Sequence, residues 1–235
     1  VPVGYSGGCI RLSTEDAKEV YDFLPKGASI YIEGAPPESS FATSSRYYLG
    51  GDGTPPNISS PSFLVADIES GAVLWDRSST ALRPPRGLTS LMTALTSVEA
   101  VTQYKFVRMS EVLLGEPAVR KHKIGKVDEL PLGTLIYPLL FDTNDTAGKV
   151  FASVHGNKQF VAYMNEKARA IGMPSTEYSG PLSTDVSTTS ARDLFALLSY
   201  VRSSKRFLLD VSLTESKLLT DGEGDDRYEW KNRSP

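Results

Sequence analysis

"RPPRGLTSLMTALTSVEA", Arg83 to Ala100, is the stretch on which the fold turns. Its double proline interrupts what precedes it, since proline fixes φ at about −65° and has no N–H to donate. A helix is expected from Leu88 to about Val101. On that helix Ser90 has Gly87, Arg86, Thr93 and Ala94 beside it at helical spacing. None of these is a base, because a guanidinium stays protonated far above neutral pH. Ser90 is therefore read as a serine on a helix surface.

Working outward, "SFLVADI" and "AVLWD" are apolar runs separated by "ESG", which predicts a hairpin between Ser62 and Asp76. Downstream, helices are expected around Leu135 to Leu140, from Asn144 to Val154, and from about Lys158 to Ile171. The last places Phe160, Val161, Met164, Ala168 and Ile171 on one stripe and ends at Gly172 as a C-cap. Asp145 and Thr146 are read as caps of the helix they begin. Ser190 with Asp193 forms a capping box ahead of "ARDLFALLSYV".

Toward the N-terminus, Gly34 to Pro61 is crowded with Pro, Gly and Ser and shows no apolar period, so it reads as an interdomain linker. Before it, "LSTEDAKEVYDFL" is expected to form a helix capped by Ser13 and Asp16, with Ala17, Val20, Tyr21 and Leu24 on one face. "PKG" breaks that helix, and "ASIYIE", Ala28 to Glu33, alternates like a strand. There is no internal repeat.

A net charge of −3 gives no electrostatic case for a nucleic-acid partner, and "RKHK", Arg120 to Lys123, is an isolated basic run suited to a solvated loop. No apolar run is long enough to span a bilayer, and the first residues lack the pattern of a signal peptide. The chain opens on Val1, so a fragment of a longer protein is expected, with any leader or membrane tether outside these residues.

Cys9 is the one cysteine in the chain. It cannot form an internal disulfide and is too few for a cysteine-rich zinc site, which leaves a buried structural thiol or a reactive one. "YSGGCIRLSTEDAKEVYDFLPKGASIYI", Tyr5 to Ile32, resembles the end of the L,D-transpeptidase catalytic domain. That family's signature is Ser-His-Gly-Cys, an apolar residue and Arg, then a helix and a closing strand. Ser6, Gly8, Cys9, Arg11, Asp16, Ala17, Tyr21 and Gly27 occupy matching places, while Gly7 stands where many members have His. The resemblance implies that Cys9 is the acyl-accepting nucleophile. It also implies that Ser6, Gly8 and Arg11 contact substrate, Arg11 by shaping the site or holding a carboxylate. A thiolate at neutral pH needs a nearby base or positive charge. In the family that histidine lies upstream of the cysteine. His122 and His155 read as surface or helix-end residues, so a complete Cys–His pair is not expected within this chain.

From Ser62 onward the order of features resembles the D-alanyl-D-alanine carboxypeptidases, the low-molecular-mass penicillin-binding proteins. "VADIESGAVLWD", "RPPRGLTSLMTALTSVEA", "LPLGTLIYPLLFDTNDTAG", "FVAYMNEKARAIGMPST", "STTSARDLFALLSYV" and "YEWKN" carry the resemblance. Those enzymes use Ser-x-x-Lys, in which the amine takes the hydroxyl proton, with Ser-x-Asn and Lys-Thr-Gly completing the site. Matching Pro-Ala-Ser-x-Thr-Lys puts Gly87 at the serine position and Ser90 at the lysine position. Asp142-Thr143-Asn144 retains the asparagine of the second motif but has Asp142 in place of its serine, and no Lys-Thr-Gly follows. No serine in the chain has a lysine three residues later. The resemblance leaves Asn144 to orient a peptide carbonyl, and nucleophile and base are lost together, which should remove almost all acyl-enzyme chemistry.

The expected architecture is α+β. An L,D-transpeptidase-like remnant, small and β-rich, occupies residues 1–33, the linker residues 34–61, and a β-lactamase/D,D-peptidase-like domain residues 62–235. That domain is expected to combine a helical cluster with an antiparallel sheet that lacks its C-terminal strands and is poorly closed along one edge. Both resemblances point to the stem peptides of bacterial peptidoglycan as partner, to a location outside the cytoplasmic membrane, and to no cofactor or metal. Three functions stay open: L,D-transpeptidation through a Cys9 thioester, non-catalytic binding of peptides ending in D-Ala, and serine-type D,D-carboxypeptidation.

Overall fold

The computed structural model describes residues 57–101, 103, 105–108, 129–220 and 227–232, together with residues 15 and 18. The chain divides into two compact units, Val1–Pro37 and Glu38–Pro235. In the first, Glu15 and Lys18 are helical and exposed. The rest of the helix expected there, the strand Ala28 to Glu33, and Ser6, Gly8, Cys9 and Arg11 lie outside the described residues, as do most of the expected linker and His122.

The second unit begins with the expected hairpin, β1 (Phe63–Ala66) antiparallel to β2 (Val73–Arg77), with Phe63 opposite Arg77 and a register shift between Val65 and Ala66. The turn is longer than "ESG" because Asp67 organises it. Its main chain bonds to Ala72 and Gly71, and its carboxylate accepts from Glu69 N at 2.8 Å and Ser70 Oγ at 2.9 Å. These donors, the Glu69 N–H first, hold the Asp67 carboxyl below its ordinary pKa.

The core is a helical cluster around α1 (Thr89–Ala100), which packs against α2 (Ile136–Asp142), α3 (Asp145–His155), α4 (Asn157–Ala170) and α6 (Phe207–Ser212). Every residue of α1 from Met92 to Ser97 is buried, the mark of a helix enclosed on all sides. Within that buried run the polar positions are hydroxyls rather than charges; Ser97 Oγ donates to Ala94 O at 2.8 Å and Thr93 Oγ1 to Pro181 O at 2.8 Å, while Thr96 Oγ1 has no partner. On α4 the expected stripe is seen in Phe160, Met164 and Ala168, all fully buried, with Val161 half-buried at its margin. Gly172 ends this helix at φ 87°, a conformation that a side chain would strain, and Met173 N bonds back to Ala168 O at 2.8 Å.

Helix α5 (Ala191–Ser204) starts as its capping box predicts, Ser190 Oγ accepting from Asp193 N at 3.1 Å. Helix α3 corrects the sequence reading. Its N-cap is Asn144, whose Oδ1 accepts from Ala147 N at 3.1 Å, whereas Asp145 and Thr146 are already helical. Asparagine in extended backbone is the stronger cap, and Asp145 is freed to bond elsewhere.

In place of one sheet, the described residues form three separate antiparallel pairs: β1–β2, β3 (Phe106–Arg108) with β4 (Glu129–Pro131), and β5 (Ser216–Thr220) with β6 (Arg227–Lys231). Two of the pairs lie against helices: β1 packs on α5, and β6 on α2, with Trp230 5% exposed. Lys217 adds a cation–π contact, its Nζ 4.8 Å from the Tyr137 ring centroid.

Tyr178 is 1% exposed and its hydroxyl has no hydrogen-bond partner. Burial, and secondarily the negative charge of Asp193, raise its pKa. A raised folded-state pKa means that the native state holds the proton longer. The contribution is intact below the unfolded value of about 10 and is lost as pH climbs above it. Tyr178→Phe should therefore gain about 1 kcal/mol at neutral pH by removing a desolvated hydroxyl, and should flatten the alkaline fall in stability. Urea unfolding from pH 7 to 11 checks both; a steeper alkaline loss in the variant would contradict them.

Candidate functional site

Pro84 and Pro85 feed a single 3-10 turn, Arg86–Leu88, which runs directly into α1. This places Gly87 at the mouth of the central helix. From the other side, α2 ends at Asp142 and Thr143 turns the chain with φ 50° and ψ 46°, so that Asn144 can cap α3. The two segments meet: a Cβ added to Gly87 would lie 3.0 Å from Thr143 Cγ2. The two remnant motifs read from the sequence are thus brought together, and glycine is what permits the close approach.

Ser90 departs from the sequence reading. It is 4% exposed, so it is not a surface serine. It is the second residue of α1 and almost wholly covered by its neighbours, which leaves a substrate or a water nucleophile little access. Asn144 is also buried, at 8% exposure, and its side-chain oxygen is engaged in the helix cap. Asp142 closes α2 and is half-buried.

Around Gly87 opens a cleft of about 650 Å³, lined by residues 82–84, 86 and 87, by Thr143, and by residues 183–188. The 183–188 wall is held by many bonds. Asp145 Oδ1 accepts from Ser183 N at 2.8 Å, and Asp185 Oδ2 accepts from Leu182 N at 2.7 Å. Thr188 bridges Glu177, and Thr189 pairs with Arg83 through main-chain bonds of 2.7 and 2.8 Å. Among the described residues the lining includes hydroxyls, two arginines and an aspartate, but no lysine, histidine or cysteine. It can bind a polar ligand, but its described residues include no group of the kind that activates a serine near neutral pH. The arginines and the 183–188 loop escaped the sequence reading; the signal available was "RPPR", two cations flanking the helix entry.

A second hollow of about 450 Å³ lies between α1 and α4 beside Glu99, Tyr163 and Lys167. Glu99 there meets Lys167 Nζ at 2.7 Å, Lys205 Nζ at 3.8 Å and the Tyr200 hydroxyl at 3.1 Å. A carboxylate so fully engaged is tying helices together. His155, as expected, ends a helix, and its ring centroid lies 5.1 Å from that of Tyr163 with the planes tilted by 48°. No group of three or more His, Cys, Asp or Glu suited to a metal ion occurs among the described residues, and no described helix is long and apolar enough to cross a membrane.

Arg86 and Thr143, which border the Gly87 contact, are both non-glycine residues at positive φ. For a β-branched side chain this region costs about 1–2 kcal/mol. Thr143→Asn should therefore raise stability by about 1 kcal/mol, or a few degrees in thermal midpoint. A lowered midpoint would show that the Thr143 methyl contributes more by packing than its backbone costs.

Comparison with known proteins agrees with this geometry. The family model for the L,D-transpeptidase catalytic domain matches residues 1–32. The D-alanyl-D-alanine endopeptidase of Pseudomonas aeruginosa is 30% identical over 150 residues, covering 60% of this chain and 47% of that protein. The D-alanyl-D-alanine carboxypeptidase DacA of Escherichia coli is 27% identical over 153 residues, 59% of this chain and 38% of that protein. The chain thus spans half or less of the length of these curated relatives. Among solved structures, a D-alanyl-D-alanine carboxypeptidase from Mycobacterium tuberculosis aligns with TM-score 0.65 at 20% identity, covering 78% of this chain and 70% of that one. Penicillin-binding protein D2 of Listeria monocytogenes, in its cefotaxime-bound form, aligns with TM-score 0.65 at 20% identity over 77% and 75%. These structures share the α+β fold. With the family model for D-alanyl-D-alanine carboxypeptidase matching residues 52–234, the chain belongs to that family.

Proposed function

We propose that this chain serves the processing of bacterial peptidoglycan stem peptides outside the cytoplasmic membrane, and that its second unit holds such peptides in the Gly87 cleft without cleaving them. One observation carries the reading: where the family pattern has serine and lysine, the mouth of α1 has Gly87 against Thr143 and a buried Ser90. Acyl-enzyme chemistry needs a hydroxyl and a base that act as a unit, and both are replaced here. The cleft remains open, with hydroxyl, arginine and aspartate side chains set in a largely apolar lining. Residues 62–235 form this peptide-holding domain, residues 34–61 its linker, and residues 1–33 a separate catalytic segment.

A second reading concerns that segment. The match of residues 1–32 to the L,D-transpeptidase catalytic domain favours Cys9 as the sulfur that takes a stem-peptide acyl group as a thioester, with Ser6, Gly8 and Arg11 around it. The thiolate would depend on a histidine from sequence upstream of Val1.

Labelling separates the readings. The protein is treated with fluorescent penicillin and with a carbapenem, adducts are mapped by mass spectrometry, and muropeptide binding is measured in parallel. No penicillin adduct after Ser62, with muropeptides retained, is the expected result for the second unit. A penicillin-modified serine in that region would restore D,D-carboxypeptidation. Carbapenem on Cys9, absent from Cys9→Ala, is the expected result for the transpeptidase reading when the upstream sequence is present.

A further inference from the structure

The hollow between α1 and α4 lies toward the end of the central helix remote from Gly87. Glu99 comes ten residues after Thr89, the first residue of α1, which is about 15 Å along the axis. Thr96, Glu99 and Ala100 are spaced i, i+3, i+4 on α1, and Tyr163, Glu166, Lys167 and Ala170 are spaced i, i+3, i+4, i+7 on α4, so each helix turns one face to the hollow. The two alanines leave space that larger side chains would fill. The charged groups differ in what they have left to do. Lys167 is committed, its Nζ 2.7 Å from Glu99 and 5.2 Å from the Tyr200 ring centroid. Glu99 is shared between Lys167, Lys205 and the Tyr200 hydroxyl. Glu166 is exposed and, among the described residues, forms no ion pair. Tyr163, nearly one turn before it, is 37% exposed. Thr96, on the covered side, has a buried hydroxyl without a hydrogen-bond partner. The concave space thus offers a free carboxylate, an aromatic ring and an unmet hydroxyl above small apolar side chains.

We propose that this hollow binds a primary ammonium carried on an aliphatic stem, the chemistry of a lysine side chain, with the ammonium at Glu166 and the Tyr163 ring and the stem over Ala100 and Ala170. An ammonium has three donors and no acceptor, which answers a site whose unmet groups are a carboxylate and a hydroxyl. The face of a tyrosine ring attracts a cation through its quadrupole. An anionic ligand would have to compete with Glu99 for Lys167 and would meet Glu166 as a like charge. A neutral apolar group would take water from Glu166 and give nothing back. A volume of about 450 Å³ accommodates one such side chain together with the backbone that bears it. Because Glu166 and Tyr163 are both exposed, the attraction is screened by salt and the affinity is modest. The site is separate from the Gly87 cleft, so it stands or falls independently of peptide holding there.

The test uses the full chain and four probes titrated at low salt, with binding followed by NMR: Nα-acetyl-lysine amide, its uncharged analogue Nα-acetyl-norleucine amide, Nα-acetyl-glutamate amide, and pentylamine. The lysine amide should bind with a Kd of about 1 mM and shift the Ala100 and Ala170 resonances, while the norleucine amide binds at least roughly tenfold more weakly. Pentylamine separates the sources of the same head group: binding equal to the lysine amide marks a site for free alkylamines, and weaker binding marks one for a peptide side chain, and either supports the ammonium assignment. Glu166→Gln and Tyr163→Leu should each weaken the lysine amide roughly fivefold to tenfold, and Ala170→Leu, which fills the hollow, should abolish its binding. All three positions are at least partly exposed, so the wild-type thermal midpoint should be kept within a few degrees. Equal binding of the norleucine and lysine amides would overturn the proposal, as would tighter binding of the glutamate amide, which would make Lys167 the reader. Full affinity in Glu166→Gln, or no binding of the lysine amide at about tenfold above the expected Kd, would overturn it as well.

Discussion

Lysine at position 90 is expected to destabilise the second unit by about 3 kcal/mol or more, and serine installed at position 87 beside it should still leave the protein unreactive toward penicillin. The reason lies in burial. Ser90 is 4% exposed on a helix that is enclosed on all sides, with Met92, Thr93 and Ala94 buried around it. An ammonium placed there loses its hydration and must be forced into space now filled by packed side chains, which costs several kcal/mol. The serine faces its own obstacle, because its Cβ would lie 3.0 Å from Thr143 Cγ2, forcing Thr143 to shift. Restoring two letters of a motif does not restore the space that the motif occupied. Urea unfolding of Gly87→Ser, Ser90→Lys and the double variant, with penicillin labelling of each, measures the effect. A double variant that is as stable as the wild type and becomes acylated would show that the helix mouth kept room for the chemistry.

Asp193→Ala should cost about 3 kcal/mol, visible as a lower urea midpoint with an unchanged slope. Asp193 is 2% exposed at the start of α5, and its Oδ2 accepts from Ser175 N at 2.9 Å and from Thr176 Oγ1 at 2.7 Å. Thr176 Oγ1 in turn lies 2.8 Å from Thr189 Oγ1. Removing the carboxylate takes the acceptor from the part-buried Ser175 N–H and from the buried Thr176 hydroxyl, and a donor that loses its partner in a partly dry site costs more than an average bond contributes. The same substitution loosens Thr189, whose main chain fastens Arg83 to the 183–188 side of the cleft. Peptide affinity should therefore fall along with stability. Asp193→Asn, which retains an acceptor oxygen, should recover part of both. An unchanged midpoint in the alanine variant would mean that water replaces the carboxylate without loss.

Residue by residue, what could be read in advance was local. The hairpin at Phe63, the stripe of Phe160, Met164 and Ala168, the Gly172 stop and the Ser190 cap all depend on neighbours within a few positions, so sequence spacing exposes them. The Asn144 cap was misassigned to Asp145 and Thr146 because a helix start moved by one residue changes which side chain meets the free N–H groups. The division of the strands into three pairs is not legible in the sequence because β1 and β6 lie against helices that arrive from elsewhere in the chain.

The missing Ser-x-x-Lys pair is of the first kind. That no serine precedes a lysine at one helical turn is a property of the amino-acid order, and no folding can reverse it. The cleft is of the second kind. Gly87 meeting Thr143, Ser90 withdrawn from solvent, and Arg83 and Arg86 facing the 183–188 loop are encounters between segments far apart in the chain. Their positions follow from how helices pack around α1, a sum over many weak contacts that no short window of sequence contains.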